Sequence, residues 1–486
     1  MKKLLVVLLT VLFVITGAGY VFAAESPSDA KEAINEVFDY LVKYHKDNPG
    51  IKQLMEGAIW GMIDSLEDPY TVYLSKDEMK QFMDDMSGDF SGVGIYLEAR
   101  PDYPLVTDVI SGSPALKAGI KSGDLIKKVD GADVRGVPLN KVVEKIKGPS
   151  GTQVELVVGR EGGEIVFKLK RTAINASTVT SKVVGNNLGY VSVKSFGLKT
   201  PQEFRSALDE MTSKKVAGMI IDLRNNPGGY FKAAVDMAGN FLERDKLVVS
   251  TRDYEGTVEH FRVSGDLKVI KVPVVLLVDS GSASASEILA GALQDYGVAT
   301  LVGDTTYGKG LVQNLISLDK GGALKLTTSE YTTPKGRHIH NQGLKPDYVV
   351  KTGELQLPFA RRLLQPQQKS VLKYTPGSNE VFVDGEKIQV SGTPVISGET
   401  VYLPLRFTFE ALGYVVSWEQ ESGDIVLSRQ GTRIVIPRDG HPTVNGREIK
   451  VSKGIIGEDI SYISTGLIDA MKINIKWFDG QVIIEG

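Results

Sequence analysis

The stretch Val274-Val275-Leu276-Leu277-Val278-Asp279-Ser280-Gly281-Ser282-Ala283-Ser284-Ala285-Ser286-Glu287-Ile288-Leu289 runs from five consecutive apolar residues through a serine-bearing glycine turn into an apolar-periodic segment. A short apolar run bounded by turn residues describes a strand buried on both faces, and such strands belong to parallel sheets covered by helices. The pattern recurs upstream. Residues 216–223 form a second buried strand, Asn225-Asn226-Pro227-Gly228-Gly229 supplies a turn, and helices are expected over 231–241 and 284–296. Residues 178–357 therefore describe an α/β core.

A serine at a strand-to-helix turn stands at the end of a rigid sheet, where the first helical N–H groups and the positive end of the dipole can stabilise a developing oxyanion. Helix capping accounts for Ser282, Ser284 and Ser286 equally well, because serine is favoured at caps for its hydroxyl. A nucleophilic hydroxyl needs a base, and His260, His338 and His340 lie outside any comparable motif. The remaining candidate is Lys309 in Thr305-Thr306-Tyr307-Gly308-Lys309-Gly310-Leu311-Val312-Gln313. Held between two glycines among apolar and aromatic neighbours, its amine can be desolvated, which favours the neutral form that a base requires.

Composition narrows the function classes. The 486 residues, 42% apolar and 24% charged, describe a soluble globular protein of three or four domains. A formal net charge of -3 and the lack of a basic cluster with interleaved aromatics argue against nucleic acid as a partner. With no cysteine there is no disulfide, thiol nucleophile or thiolate metal site, and five scattered histidines offer little to a metal, so no cofactor is expected. Lys2 and Lys3, an apolar run over 4–21 and small residues at Ala23 and Ala24 form an export signal over 1–23. Cleavage after Ala23 and retention as a membrane anchor both remain open. Either way the chain is expected to be exported, secreted or attached to the cell envelope.

Residues 25–88 show helical periodicity, at Ile34, Val37, Phe38, Leu41 and again at Leu54, Met55, Ile59, Met62, interrupted by Asn48-Pro49-Gly50. Residues 89–172 change to short β-rich runs. There Gly92-Val93-Gly94-Ile95, Ser113-Pro114-Ala115, Ala118-Gly119-Ile120 and Gly123-Asp124-Leu125-Ile126 resemble a PDZ domain. The resemblance implies capture of a peptide by strand addition, with Gly92, Val93, Gly94 and Ile95 at the terminal carboxylate. A helix and polar linker are expected over 358–368. Residues 373–486 contain a weak repeat: Val383-Asp384-Gly385 is echoed by Val444-Asn445-Gly446, Glu410-Ala411-Leu412 by Asp469-Ala470-Met471, and Trp418 by Trp477. Each copy gives a hairpin, a strand, a short helix and another hairpin, and the two tryptophans are taken as core anchors in preference to a binding face. This tail is similar to the module named after the copper amine oxidase N-terminal domain, without histidines suited to copper.

Ser284 in its Gly-Ser-Ala-Ser-Ala-Ser-Glu segment, Lys309 in Tyr-Gly-Lys-Gly-Leu-Val-Gln, and Asp222-Leu223-Arg224-Asn225-Asn226-Pro227-Gly228-Gly229 together resemble the carboxyl-terminal processing (tail-specific) serine peptidases over residues 30–365. The resemblance implies an α/β multidomain protein: N-terminal helices, a β-rich PDZ domain, a crotonase-like α/β serine protease core over 173–368 and an α+β duplicated tail. It makes Ser284 the nucleophile, Lys309 the general base and Gln313 the group that orients the lysine. The oxyanion would be held by the N–H groups of Gly229 and Ala285, with Gly228 the less favoured alternative. Lys147 stands where gated relatives often carry arginine, which puts the coupling residue in doubt. Expected partners are proteins or peptides with flexible C-termini, a second copy through residues 34–63, and cell-wall material through the tail. The alternative function is a catalytically weak envelope scaffold.

Overall fold

The computed structural model describes residues 26–486 apart from 88, 111, 161, 176, 266–268, 399 and 452–459, so the expected signal segment 1–23 lies outside the described residues. The chain divides into a smaller compact unit, residues up to Ser75 with Leu315–Leu326, and a larger one, Lys76–Asn314 with Thr327–Gly486.

In the smaller unit, helix α1 (Pro27–Tyr44) begins at Ser26, whose hydroxyl accepts the Asp29 N–H at 3.2 Å, with Pro27 in the first turn, where no backbone donor is lost. Helix α2 (Ile51–Asp64) starts after Gly50, so the Asn48-Pro49-Gly50 break falls where the sequence places it. The Asp68 carboxylate accepts the Tyr70 N–H at 2.9 Å and the Thr71 hydroxyl at 2.6 Å, turning the chain into strand Val72–Leu74, which pairs antiparallel with residues 323–325.

The larger unit opens with α3 (Lys76–Ser87), followed by a run of β-strands. Strands Ile95–Glu98, Leu105–Val109, Leu125–Val129, Gln153–Arg160 and Gly163–Lys170 form one sheet in that order. Helix α4 (Pro114–Ala118) is capped by Ser113 and closed by Gly119 at φ 93°, as the sequence suggests, and α5 (Leu139–Ile146) places Val142 and Ile146 in the same apolar core as Val93. Strand Asp89–Gly92 pairs antiparallel with Thr172–Asn175, so this β-rich domain enters and leaves through one two-stranded ribbon.

The core sheet runs Val179–Val184, Leu188–Val193, Gly218–Asp222, Val274–Val278, Ala299–Gly303 and Tyr348–Val349, antiparallel at the first pair and parallel thereafter. All five residues of Val274–Val278 are buried, and alternation divides them between two cores. Val274, Leu276 and Val278 face the cluster formed with α6 (Thr200–Ser213), α7 (Phe231–Ala238) and α8 (Ala285–Asp295). Val275 and Leu277 face a second cluster that contains Leu355 and Phe359 of α9 (Gly353–Leu364) and continues into Tyr374, Leu403 and Phe409. The tail thus shares one continuous core with the back of the six-stranded core sheet. Helix α9 starts before the expected position and encloses Pro358. The proline has not broken it because the helix is held along its length by this packing.

The tail repeats itself as expected: hairpin, strand, helix α10 (Leu405–Ala411) and strands in the first copy, and the same order around α11 (Thr465–Ala470) in the second. The two copies meet where Thr400–Pro404 pairs antiparallel with Tyr462–Ser464 and where Val371–Tyr374 pairs antiparallel with Gln481–Glu485. One expectation fails. Trp418 and Trp477 are not core anchors, being 49% and 55% exposed. Each shares its strand parity with an inward residue two positions earlier, buried Val416 or core-packed Ile475, but lies at the strand end where that core stops.

Candidate active site

Strand Val274–Val278 delivers the chain to Asp279, whose Oδ1 accepts the N–H groups of Asn225 at 2.9 Å and Gly281 at 3.0 Å, fastening the serine turn to the preceding turn. The three serines then separate by environment. Ser282 is fully buried and donates to the Leu223 carbonyl at 2.8 Å, and buried Ser286 donates to the Asn226 carbonyl at 3.0 Å. Their hydroxyls are spent on structure. Ser284, between them, is half-buried and occupies the residue before α8 with φ 55° and ψ −115°, a backbone conformation costly for a residue with a Cβ.

Buried contacts hold that strained turn. Ser284 N–H donates to Glu287 Oε2 at 2.9 Å, and the hydroxyl of buried Tyr331 donates to the Ser284 carbonyl at 3.2 Å. Gly228 and Gly229 close in from the other side. A Cβ on Gly228, at φ 94°, would lie 2.6 Å from the Ala283 carbonyl oxygen and 2.9 Å from Ser284 Cβ, and one on Gly229, at φ 143°, would collide with the Phe196 carbonyl. Only glycine lets the backbone approach the Ser284 turn this closely. Gly228 N–H donates to Asn226 Oδ1 at 2.9 Å and so is already engaged. Fully buried Asn226 also donates through Nδ2 to the Val193 carbonyl at 2.8 Å.

Lys309 lies half-buried in the loop after strand Ala299–Gly303. Its N–H donates to Glu287 Oε2 at 2.9 Å, the same oxygen that accepts from Ser284, so the two backbone nitrogens are no farther apart than twice that distance. Glu287 Oε1 accepts the Thr306 hydroxyl at 2.5 Å and Gly308 N–H at 2.8 Å. One fully buried carboxylate therefore clasps the serine turn and the lysine loop together. Burial pushes its carboxyl above the ordinary glutamate range, opposed by those four hydrogen bonds to the ionised form. The same burial, with the Glu287 charge nearby, pushes the Tyr331 phenol well up, which keeps it a hydrogen-bond donor. Gln313, on strand Leu311–Ser317, donates through Nε2 to Thr327 Oγ1 at 3.3 Å, leaving its amide oxygen as the end able to accept from an amine.

Behind the site, Asp222 accepts Arg224 Nη2 at 2.6 Å and the Tyr190 hydroxyl at 2.7 Å. Burial and the Asp222 charge push the Tyr190 phenol up to about 12. Arg224 also reaches the Gly353 carbonyl at 3.0 Å, tying the glycine turn to the start of α9.

In the PDZ domain, Gly92, Val93, Gly94 and Ile95 connect the entry ribbon to strand Ile95–Glu98, which is the terminal strand of its sheet. The carbonyls of Val93 and Gly94 accept from Ala115 at 2.9 Å and Ile110 at 3.0 Å, which fixes the loop's orientation. Lys147 follows α5, its N–H donating to the Val143 carbonyl at 2.8 Å. Arg171 is the cation that grips this helix end. Its guanidinium donates to the carbonyls of Ile146 at 2.9 Å, Lys145 at 2.8 Å and Gln153 at 2.7 Å, one residue before the exit strand of the ribbon.

Four family patterns match successive parts of the chain. The pattern of peptidase family S41 matches residues 187–350, that of the PDZ domain 83–159, that of the activating protease CtpB N-terminal domain 21–78, and that of the copper amine oxidase N-terminal domain 367–484. The carboxy-terminal processing protease CtpA of Bacillus subtilis is 37% identical over 350 residues, covering 71% of this chain and 75% of that protein. The chain belongs to the carboxy-terminal processing proteases of peptidase family S41. CtpB of the same organism is 35% identical over 346 residues, 69% of this chain and 72% of its own. A solved structure, the photosystem II D1 C-terminal processing protease, is 30% identical with a TM-score of 0.45, covering 65% of this chain and 86% of that one. This S41 peptidase is a serine peptidase with a PDZ domain.

Two groups central to the geometry have no role in the sequence reading, Glu287 and Asn226. Glu287 carried a local signal: it stands three residues after Ser284, the spacing of a capping box, yet inside an apolar helical run. Asn226 carried none, because its partners Val193, Gly228, Ala283 and Ser286 come from three separate segments.

Proposed function

We propose that this S41 peptidase is an exported endopeptidase that takes hold of protein C-terminal tails through its PDZ domain and cleaves nearby peptide bonds through an acyl-enzyme. The observation that carries this reading is the single Glu287 oxygen that accepts from both Ser284 and Lys309. Ser284 Oγ attacks the substrate carbonyl while the neutral Lys309 amine takes its proton. The N–H groups of Gly229 and Ala285 receive the oxyanion, and the amide of Gln313 orients the lysine. Lys309 then returns the proton to the leaving amine. Water, deprotonated in turn by Lys309, releases the acyl group and restores the serine.

The purified protein is expected to digest casein, and amidating the C-terminus of a flexible peptide substrate should lower kcat/KM at least about tenfold, the worth of one charge-assisted hydrogen bond. In cells, replacing Ser284 by alanine should change the C-termini of exported proteins. An unchanged exported set, or a change confined to cytoplasmic proteins, would overturn the proposal.

The smaller unit suits a second copy of the chain. Helix α1 buries none of its residues, leaving Ile34, Val37, Tyr40 and Tyr44 between 45% and 65% exposed along one helical spacing. Sedimentation should give the mass of a dimer for the unsubstituted protein and of a monomer for the double variant Val37→Glu, Tyr40→Glu. A monomer in both refutes the pairing.

A further inference from the structure

Helix α9 ends with two arginines whose surroundings differ. Arg361 pairs with Glu386 at 3.5 Å, whereas Arg362 is 92% enclosed, with 8% of its surface exposed, and its Nη1 is a buried donor without a partner among the described residues. A buried guanidinium is ordinarily matched by a carboxylate or by several carbonyls, because an unmatched charge is costly to remove from water. The nearby carboxylate is Asp384, whose oxygens are engaged by the Val371 N–H at 2.9 Å and the Ser370 hydroxyl at 3.2 Å. What faces Arg362 is a second cation. Arg429 lines the same small cavity, its Nη1 donating to the Leu412 carbonyl at 2.8 Å and its guanidinium 5.7 Å from the Tyr414 ring centre.

The cavity is built from both the protease helix and the tail. Tyr348, Phe359, Leu363 and Pro366 give it an apolar wall, and Gly413 closes it over Arg362. At φ 82°, a Cβ on Gly413 would lie 2.7 Å from Arg362 Cδ and 3.0 Å from its Nη1. Burial first, and the Arg429 charge second, pull the Arg362 guanidinium down to about 10, against the opposing pull of Asp384. Two cations lining one small cavity, with Gln430 at its mouth, are balanced by an anion between them. The space is about 30 Å³. About 10–15 Å³ is needed for one water-sized occupant, so the cavity admits one or two such atoms and no tetrahedral oxyanion.

We propose that Arg362 and Arg429 form a binding site for one small monovalent anion, a halide or the carboxylate end of a small organic acid, between the last turn of α9 and the tail domain. The anion accepts from Arg362 Nη1 and neutralises the repulsion between the guanidiniums. It thereby clamps the tail to the helix whose Leu355, Phe359 and Ala360 pack behind the catalytic sheet. The tail's seating on the protease becomes dependent on anion occupancy.

Thermal unfolding of the full chain carrying Ser284→Ala, which removes self-digestion, tests this at constant sodium concentration and ionic strength. Methanesulfonate, whose tetrahedral head is too large for the cavity, is replaced stepwise by chloride, bromide or acetate. A saturable rise in Tm of about 2 °C is expected at about tenfold excess over Kd, absent when Arg362→Gln is added. A rise with chloride and bromide identifies a halide site, and a rise with acetate alone a carboxylate site. An equal rise with and without Arg362→Gln overturns the proposal. Where that variant does not fold, crystals of the otherwise unsubstituted chain soaked in bromide and, separately, in acetate decide. An anomalous bromide peak or acetate density beside Arg362 Nη1 supports the site, and water alone in both refutes it.

Discussion

Replacing Ser284 by alanine is expected to lower kcat/KM on casein or a tailed peptide by about a thousandfold or more, and Lys309→Ala should do the same. A thousandfold corresponds to about 4 kcal/mol of transition-state stabilisation. The equality is the diagnostic part. In the proposed mechanism nucleophile and base act as a unit, so removing either should leave the residual rate that binding and oxyanion donors supply, and the double variant should be no worse than either single one. Lys309→Arg should be as inactive as Lys309→Ala, because a guanidinium keeps its charge but does not give up its proton. Both side chains are half-buried at the end of otherwise sound elements, so folding should be retained and seen as an unchanged circular dichroism spectrum. Peptide binding by the PDZ domain should also stay within about twofold, since Val93 and Ile95 of its carboxylate loop pack in a core of their own. Near-normal turnover in either single variant would remove the chemistry assigned to the pair.

Much of this architecture is legible in the sequence, and the rest is missing for identifiable reasons. Strands buried on both faces announce themselves as continuous apolar runs, so Val274–Val278 and its neighbours are visible without a structure. Ser284 and Lys309 can be picked out as a motif pair, but the segment itself leaves Ser284 level with Ser282 and Ser286, and only the family resemblance singles it out. Burial separates them, since the flanking hydroxyls are committed to carbonyls of Leu223 and Asn226, some sixty residues away in sequence. Strand parity assigns a residue to a face and says nothing of how far the core extends along that face. Trp418 and Trp477 illustrate this, each on a core-facing register yet half in solvent. The join between tail and protease was hidden for a different reason. Gln365-Pro366-Gln367-Gln368 has the composition of a linker, while the apolar residues that bind the two parts, Leu355, Phe359, Tyr374 and Phe409, lie on either side of it.

Glu287→Gln is expected to lower kcat about a hundredfold while leaving KM unchanged. The carboxylate serves four donors, Ser284 N–H and Lys309 N–H on one oxygen and the Thr306 hydroxyl and Gly308 N–H on the other. Glutamine turns one of those oxygens into a donor that faces two donors, so two hydrogen bonds to a charged group are lost at about 1.5 kcal/mol each, which sums to roughly two decades in rate. Glu287 touches no substrate in this scheme and acts as a positioning residue, which places its effect in kcat. The rearranged turn would release the strained backbone of Ser284 from its buried anchor. The pH dependence supplies a second readout. Burial raises this carboxyl above its ordinary value, so the folded state holds the proton more tightly than the unfolded chain. The resulting contribution to stability is fully present below the ordinary glutamate range and is lost as pH rises through the raised folded value. Glutamine does not titrate, so stability in Glu287→Gln should be flatter with pH across that window, read from Tm at successive pH values. Activity should follow the opposite sign in the unsubstituted enzyme, falling on the acid side as Glu287 takes a proton and one of its oxygens ceases to accept. An enzyme with Glu287→Gln that keeps both its kcat and its pH profile would show that the shared carboxylate does not hold Ser284 and Lys309 in register.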